Sequence, residues 1–468
     1  MSGEELEKLR EELKSVSVEV IRLLARRAEL ARRVGELKKQ LGIEIVQSGA
    51  EHELRRAMIE EARANNLSEA LVNKIATLMF NESVKVQEHK KGKQITHFDI
   101  FRRAKELERQ GRKVIRLEVG EPDLGAPQQV ADAAIQAIRE GYARYSDAKG
   151  LPQLRKKISQ YLETRFGAGV NPENIVVSPG GRFAVYLAMK SLASLGDEII
   201  IIDPSWPMYA QCAEFIGARP VRVKTRLEDA WTPRPEEVEE KITPATRAIV
   251  LNYPNNPTGR VISREAFQKL VDIAREYGIY VISDEVYADY SFNGEHVSVL
   301  QQEGDVKYVL ISSFSKSWGM TGYRMGFAVS DAEVVSRMAQ VMSLIITCVP
   351  EFVQLAGMKA LELADEARRY AEIMRRRMEV AVRELEKLPA SYHKPEGGMY
   401  VFPRFNIEGL DTTEFAMNLL ESKNVGLAPG TAFGDYPQYV RISLGASEED
   451  IAEGIRRVKE YLDEKGLT

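Results

Sequence analysis

The sequence predicts two domains of different class, an all-α segment over residues 1–91 and an α/β domain with a largely parallel sheet over residues 92–468. Three observations lead there. At 468 residues the chain exceeds the span over which a single hydrophobic core keeps growing. Residues 4–91 contain no proline and keep a helical apolar period. From Val114 onward, short β-rich runs (VIRLEV, NIVVSP, EIIIID, RAIVLNYP, YVISDE, YVLISSFS) alternate with helical stretches and glycine turns, the pattern of strands joined by crossover helices.

Composition narrows the class of function. Apolar residues make up 44% and charged residues 29%, with a formal net charge of −4, which describes a soluble globular protein without a basic surface for nucleic acid or membrane. Cys212 and Cys348 lie far apart, and the five histidines never take ligand spacing with them, so neither a metal site nor a disulfide framework is expected. No apolar run reaches the roughly eighteen residues of a membrane helix, and the acidic start MSGEELEKL does not resemble a signal peptide. A cytoplasmic protein is expected.

Three helices are expected first, near 4–41, 50–64 and 69–91, broken at 42–49 and at Asn65-Asn66-Leu67-Ser68, where Ser68 is a good N-cap. In the first, the apolar stripe runs through Leu9, Leu13, Val16, Val20, Leu23, Leu24, Leu30, Val34 and Leu41. The stretch ARRAELARRVGELKK, residues 25–39, adds six cations. Arg26, Arg32, Arg33 and Lys39 project away from the stripe as solvated charge, with partners such as Glu29 for Arg33. Arg27 and Lys38 fall within it, and a cation on a buried face requires an anion. That anion is either an internal carboxylate, Glu51 or Glu82, or a bound ligand. In the third helix Ser83 and Gln87 share a face with Val72, Ala76, Met79 and Phe80. Two cations, a hydroxyl and an amide converging from different helices make a pocket for a small polyanion.

On LREEL (9–13), LLARRAELARRVGELK (23–38) and NESVKVQ (81–87), residues 4–91 resemble the all-helical chorismate mutases, intertwined homodimers that rearrange chorismate to prephenate. The resemblance implies that Arg10, Arg27 and Lys38 bind the substrate carboxylates and ether oxygen, with Arg10 reaching into the partner's site. It implies that Glu51 holds the substrate hydroxyl, Ser83 the ring carboxylate, and that Gln87 is the second ether-oxygen donor. Such a pericyclic reaction needs no nucleophile, only restraint and electrostatic stabilisation at the breaking ether bond. The second helix departs from the family, which reads Asp-x-x-Arg-Glu where this chain has Gln47-Ser48-Gly49-Ala50-Glu51. Arg55, one turn beyond Glu51, either supplies a substitute charge or pairs with Glu51.

In the second domain, SSFSKSWGMTGYRMGF (312–327) is accompanied in order by GEPD (120–123), YSDAKGLPQLR (145–155), SPGGRFA (178–184), DPSWPMY (203–209), NYPNNPTG (252–259), SDEVYADY (283–290) and VRISLG (440–445). Gly180-Gly181-Arg182, between a β-run and a helix, suits a phosphate. Asp284, after a strand, suits a protonated pyridine nitrogen, and Lys316 suits a carbonyl cofactor. Together the motifs resemble fold type I, class I aminotransferases of the aspartate/aromatic/prephenate branch over nearly all of residues 93–468.

That resemblance implies pyridoxal 5'-phosphate and a homodimer. It also implies an arm over 92–125, a large domain with a mixed, mostly parallel sheet over about 126–345, and a smaller α+β domain over about 346–468. Lys316 is then the Schiff-base lysine, Asp284 the pyridine-nitrogen partner, and Asn256 and Tyr287 the donors to the ring hydroxyl oxygen. Trp206 stacks on the ring, while Ser313, Arg324 and the Gly181-Arg182 amides hold the phosphate. Tyr145 reaches the phosphate from the other subunit, and Arg441 with the Gly120 amide takes the substrate α-carboxylate. Arg155, Trp231, Trp318 and Cys212 are expected to be structural. Lys93 and His97, on the arm, are candidates for a distal substrate carboxylate.

The expected function is a bifunctional enzyme of aromatic amino acid biosynthesis. It makes prephenate and transaminates prephenate or an arylpyruvate from glutamate or aspartate. Two alternatives stand: an aspartate or aromatic aminotransferase whose helical domain only dimerises or senses a metabolite, and a β-lyase of the same fold.

Overall fold

The computed structural model describes residues 2–43, 48–87, 96–292 and 296–467. Gln47, Lys93, the predicted boundary at 91/92, the end of the third predicted helix and the side chain of His97 lie outside what is described. The chain divides into two compact units, residues 1–94 with 195–197, and the remainder.

Among its described residues the first unit has three helices, α1 (Ser2–Leu41), α2 (Ser48–Ala64) and α3 (Glu69–Gln87). Both α1 and α2 pack on α3, whose Val72, Ala76 and Phe80 are buried. Gly35 lets α1 approach closely, since a Cβ there would stand 2.7 Å from Gln87 Cγ. The expected burial of the α1 stripe is corrected: Leu9, Leu13, Val16, Val20, Leu23, Leu24, Leu30, Val34 and Leu41 are all exposed in the single chain, Leu13 to 68%. Where α1 meets α3 it uses another face, Arg27, Ala28, Ala31, Gly35 and Lys38, and the rest of a helix of 40 residues, about 60 Å, runs past helices of half that length.

In the second unit, α4 (His97–Arg109) opens on a capping box in which Thr96 and Asp99 exchange hydrogen bonds, holding the Asp99 carboxyl down at about 2. Seven strands among the described residues form the main sheet: β1 (Ile175–Ser178), β2 (Glu198–Asp203), β3 (Arg219–Lys224), β4 (Thr246–Asn252), β5 (Tyr280–Asp284), β6 (Tyr308–Ser313) and β7 (Gly326–Val329). Their order is β1-β7-β6-β5-β4-β2-β3. Strand β7 is antiparallel to both neighbours and the other pairings are parallel. The pleat sends Ile200, Leu251 and Phe327 into one apolar cluster and Ile199, Ile201 and Val250 into another. Both faces of the sheet are therefore buried, which is why EIIIID carries no polar alternation. Asp203, Asn252, Asp284 and Ser313 end parallel strands, so side chains of chemical use gather at one edge of the sheet.

A third cluster gathers Ile100 and Leu107 of α4 with Leu117, Met374, Phe415, Val440 and Ile455. It underlies a three-stranded antiparallel sheet, β8 (Tyr400–Val401), β9 (Ala428–Pro429) and β10 (Val440–Ser443), ordered β8-β10-β9. The run VIRLEV does not join the main sheet. Only Ile115–Arg116 is strand, paired in parallel with Val425–Gly426, because its apolar side chains belong to this third cluster. No described helix is long and apolar enough to cross a membrane.

Candidate active sites

In the helical unit, Arg27 Nη1 donates to Ser83 Oγ at 2.7 Å and to the Met79 carbonyl at 2.9 Å. The Ser83 hydroxyl donates in turn to the Met79 carbonyl at 2.7 Å, as a helical serine does to i−4. Partial burial lowers the Arg27 pKa, and the nearby Glu51 charge opposes that shift. Lys38, Glu51 and Gln87 are half-buried, and the Gln87 Oε1 is buried with no hydrogen-bond partner. Arg10 stands apart: it is exposed and paired with Glu7 at 2.6 Å. Seventeen residues of helix separate it from Arg27, about 25 Å, so it cannot serve the same pocket within one chain.

The buried Arg55 turns toward α3, where it meets Asn73 Oδ1 at 3.1 Å and Thr77 Oγ1 at 3.4 Å and lies 5.3 Å from the Phe80 ring centroid. Those three residues form one face of α3, N-terminal to Ser83. His52 was not expected at a site, yet its Nε2 is buried without a hydrogen-bond partner.

In the second unit a cavity of about 580 Å³ is lined by Gly120, Gly181, Arg182, Trp206, Asn256, Asp284, Tyr287, Ser313, Lys316, Arg324 and Arg441. Tyr145 lies outside it and is 86% exposed. Lys316 sits on the short turn Phe314–Ser317 that follows β6, and its Nζ donates to the Gly120 carbonyl. Burial lowers its pKa to about 8, with the Glu121 charge opposing. Asp284 ends β5. Burial raises its carboxyl to about 6 against the Tyr209 hydroxyl, which donates to Oδ2 at 2.6 Å.

Around these two the polar groups are interlocked. Asn252 Nδ2 donates to the Asp284 carbonyl at 2.9 Å, and Asn252 Oδ1 accepts from the Asn256 amide at 3.0 Å. Asn256 Oδ1 accepts from Arg441 Nη1 at 3.0 Å, while Arg441 Nη2 donates to the Glu118 carbonyl at 2.6 Å. The Arg441 guanidinium lies 4.4 Å from the Tyr400 ring centroid and 4.8 Å from that of Phe433, with its buried Nε unpartnered. Tyr287 and Tyr400 share a hydrogen bond of 2.8 Å, and burial raises the Tyr287 phenol well above its ordinary range.

At the other end of the cavity, helix α5 (Gly180–Leu192) begins under Arg182 and Arg324. Gly180 has φ +79°, and a Cβ there would lie 2.8 Å from Arg324 Nη2; one on Gly181 would lie 3.0 Å from Val286. Side chains at either position would fill the space before the helix N-terminus. Arg324 itself has φ +53°, a left-handed conformation rare for arginine, and its Nη1 donates to the Thr321 carbonyl at 2.8 Å. The Arg182 guanidinium lies 5.3 Å from the Trp206 ring centroid, and burial together with Arg324 lowers its pKa. Ser313 Oγ donates to Ser315 Oγ at 2.9 Å.

The cavity also holds residues beyond the expected set. Tyr209 ends the motif DPSWPMY and Asn252 opens NYPNNPTG, so their place beside Asp284 is within reach of the sequence. Tyr400 belongs to the third apolar cluster, Phe433 to a smaller one with Trp231 and Phe402, and Phe98 and Phe101 to α4; no local pattern marks them. Arg155 is structural, bound to Glu173 and to the Gly150 and Pro172 carbonyls, while Trp231, Trp318 and Cys212 are buried in packing.

Residues 112–458 match the family model described as aminotransferase class I and II. The chain belongs to that family. An aspartate aminotransferase of Pyrococcus horikoshii is 37% identical over 372 residues, spanning 78% of this chain and 94% of the relative. An aspartate/prephenate aminotransferase of Thermus thermophilus is 33% identical over 364 residues, spanning 77% and 94%. Among solved structures, the aspartate aminotransferase of Thermotoga maritima superposes with a TM-score of 0.75 at 33% identity, covering 78% of this chain and 96% of that one. Residues 9–88 match a second family model, chorismate mutase type II.

The enzyme thus joins a chorismate mutase-type isomerase segment to an aminotransferase unit. The aminotransferase family depends on pyridoxal phosphate, and the residues present fit it. Glycines leave a cradle at the start of α5 that a Cβ would fill, with two arginines beside it. A buried carboxyl faces the cavity from β5, and an amine of depressed pKa ends the adjoining turn.

Proposed function

We propose that the helical unit rearranges chorismate to prephenate and that the aminotransferase unit transfers an amino group from glutamate or aspartate to prephenate or an arylpyruvate. The observation that carries this function is the half-buried Arg27–Ser83 pair, a carboxylate-binding couple on a segment that matches chorismate mutase, on the same chain as the aminotransferase cavity. The product of the first reaction is itself a keto acid, the class of acceptor that the second requires. The similarity to a relative named aspartate/prephenate aminotransferase supports the same choice.

In the mutase step, Arg27 and Ser83 hold one substrate carboxylate, and Glu51 holds the hydroxyl. Lys38 and the Gln87 amide stabilise charge developing on the ether oxygen. Arg10 serves the pocket of a second copy. The exposed stripe of α1 supports a homodimer, since an apolar face of that length is stable once another helix covers it. Tyr145 likewise reaches the partner's phosphate site.

In the amino-transfer step, the Gly181 and Arg182 amides, Ser313 and Arg324 would hold the cofactor phosphate, and Trp206 would pack against its ring. Asp284 would keep the pyridine nitrogen protonated, while Asn256 and Tyr287 would donate to the ring oxygen. Bound pyridoxal phosphate supplies an electron sink for the carbon that loses its proton. Arg441 forks onto the substrate α-carboxylate, held in aim by Asn256 and the Glu118 carbonyl. Lys316 Nζ moves the proton at the substrate Cα, and a pKa near 8 suits it to take that proton close to neutral pH. The enzyme works in the cytoplasm.

A specific observation favours a second function for the helical unit, that of a dimerising or metabolite-sensing module. Ala50 stands where the family has arginine, and Arg55, the nearest substitute, turns toward Asn73, Thr77 and Phe80 of α3. Chorismate loss measured with the wild type and with Lys38→Ala separates the two. Turnover by the wild type alone supports catalysis, and no turnover by either leaves the module. Steady-state comparison of prephenate, phenylpyruvate and oxaloacetate as acceptors assigns the keto acid.

A further inference from the structure

Strands β5 and β6 carry the two groups on which the aminotransferase chemistry turns, and they are parallel neighbours with Asp284 opposite Ile311. The Glu285 amide still donates to the Ile311 carbonyl at 2.8 Å. Beyond that bond the ladder ends, and the segment holding Tyr287 separates from the turn holding Lys316. The Phe314–Ser317 turn is only four residues long, held at its start by the Ser313 cap and the Phe314 amide donating to the Met325 carbonyl at 3.1 Å, and closed by one helical bond of 3.3 Å from the Trp318 amide to the Phe314 carbonyl.

Two side-chain bonds continue where the ladder stops. The Tyr290 hydroxyl donates to the Lys316 carbonyl at 2.6 Å, from a side chain that is fully buried. The Ser317 hydroxyl donates to Asp289, whose other oxygen lies 2.6 Å from Arg165 Nη1. Arg165 Nη2 in turn donates to the Ala288 carbonyl at 3.0 Å. Tyr161 stands against the same carboxylate, and burial together with the Asp289 charge raises its phenol. None of Tyr161, Arg165, Asp289 and Tyr290 lines the 580 Å³ cavity; Tyr161, Arg165 and Asp289 line a separate one of about 280 Å³.

We propose that Asp289 and Tyr290 are positioning residues that lock the Lys316 turn in register with Asp284 and Tyr287 from outside the cofactor cavity. The proposal rests on Lys316 being the cofactor-binding lysine. Both anchors grip the main chain or the neighbouring side chain of Lys316 and leave its amine free to move. The charged groups that face that amine, Glu121, Arg441, Arg324 and Arg182, are untouched by changes at the anchors. Loosening the turn therefore acts on Lys316 through its placement and its access to water.

The test uses Tyr290→Phe, Ser317→Ala and their combination, with Ser317→Thr to restore the hydroxyl. In the cofactor-free protein, the pH dependence of amine modification at Lys316, read by peptide mass spectrometry, reports its midpoint. The expected result is an upward shift of about half a unit or more in the double variant, toward an ordinary lysine. In the loaded enzyme kcat should fall about tenfold, with KM for the amino donor within about twofold. Ser317→Thr should stay near wild type. An unchanged midpoint and kcat in the folded double variant would overturn the proposal. If Tyr290→Phe does not fold, Ser317→Ala alone decides, by the same two readouts. Borohydride reduction of the loaded wild type followed by peptide mapping keeps the premise separate. Label on another lysine sinks the assignment of Lys316, whereas label on Lys316 with an unmoved midpoint and kcat sinks only the positioning role.

Discussion

The two units differ in how much of a site one chain completes. In the α/β unit, eleven of the expected residues line one cavity, and Asp284, Asn256 and Arg441 are already hydrogen-bonded in place. In the helical unit, Arg27 and Ser83 meet, but Arg10 points to solvent and the α1 stripe is bare. A sheet buried on both faces fixes the ends of its strands wherever the chain is alone. A long helix with short partners fixes only the part they cover. Tyr145 is the exception in the α/β unit, exposed like the α1 stripe.

The largest effect that can break this contrast is separability. Lys316→Ala should lower transamination about a thousandfold or more while chorismate turnover stays within about twofold. Loss of both activities in a folded protein would show that the units are catalytically coupled. Conversely, Lys38→Ala should lower chorismate turnover about a hundredfold without touching transamination, as removal of a charge-stabilising donor does. Little change in chorismate turnover would remove Lys38 from the ether oxygen.

The preformed cavity also has a pH signature. Asp284 is raised from 3.8 to about 6 by burial, so between those values the folded chain holds a proton that the unfolded chain releases. Stability of the cofactor-free protein should therefore fall as pH rises from about 4 to 6, by on the order of 3 kcal/mol in total, and then level off. Denaturant titrations of wild type and Asp284→Asn check this. The same slope in both would assign it to other groups.

The smallest expected effect probes the open side of the comparison. Val20→Glu puts a charge on the exposed stripe, which a lone chain tolerates and a helix-covered stripe does not. Chorismate turnover should drop about tenfold, with weaker self-association by sedimentation and transamination unchanged. Unaltered turnover and association would mean that no second helix lies there.

Much of this was legible in the sequence, for identifiable reasons. The helices of the first unit announced themselves by period and by the Gly42–Gly49 and Asn65–Ser68 breaks. EIIIID, YVISDE and YVLISSFS became strands because unbroken apolar runs suit a sheet covered on both faces. What stayed hidden depends on distant partners. Arg55 reaches Asn73 and Thr77 of α3, contacts that no spacing in α2 could reveal. VIRLEV has strand composition, but its partner is Val425–Gly426, three hundred residues on. Tyr400 and Phe433 reach Arg441 only because the small sheet folds back on the cavity.

The central claim is that one chain makes a keto acid and aminates it. It is tested most directly by giving the purified, cofactor-loaded protein chorismate and glutamate alone and following chorismate and 2-oxoglutarate together. Chorismate should disappear and 2-oxoglutarate accumulate, with both changes lost in Lys38→Ala, whereas Lys316→Ala loses only the second. Chorismate left intact by the wild type, or consumed without any 2-oxoglutarate, would contradict it.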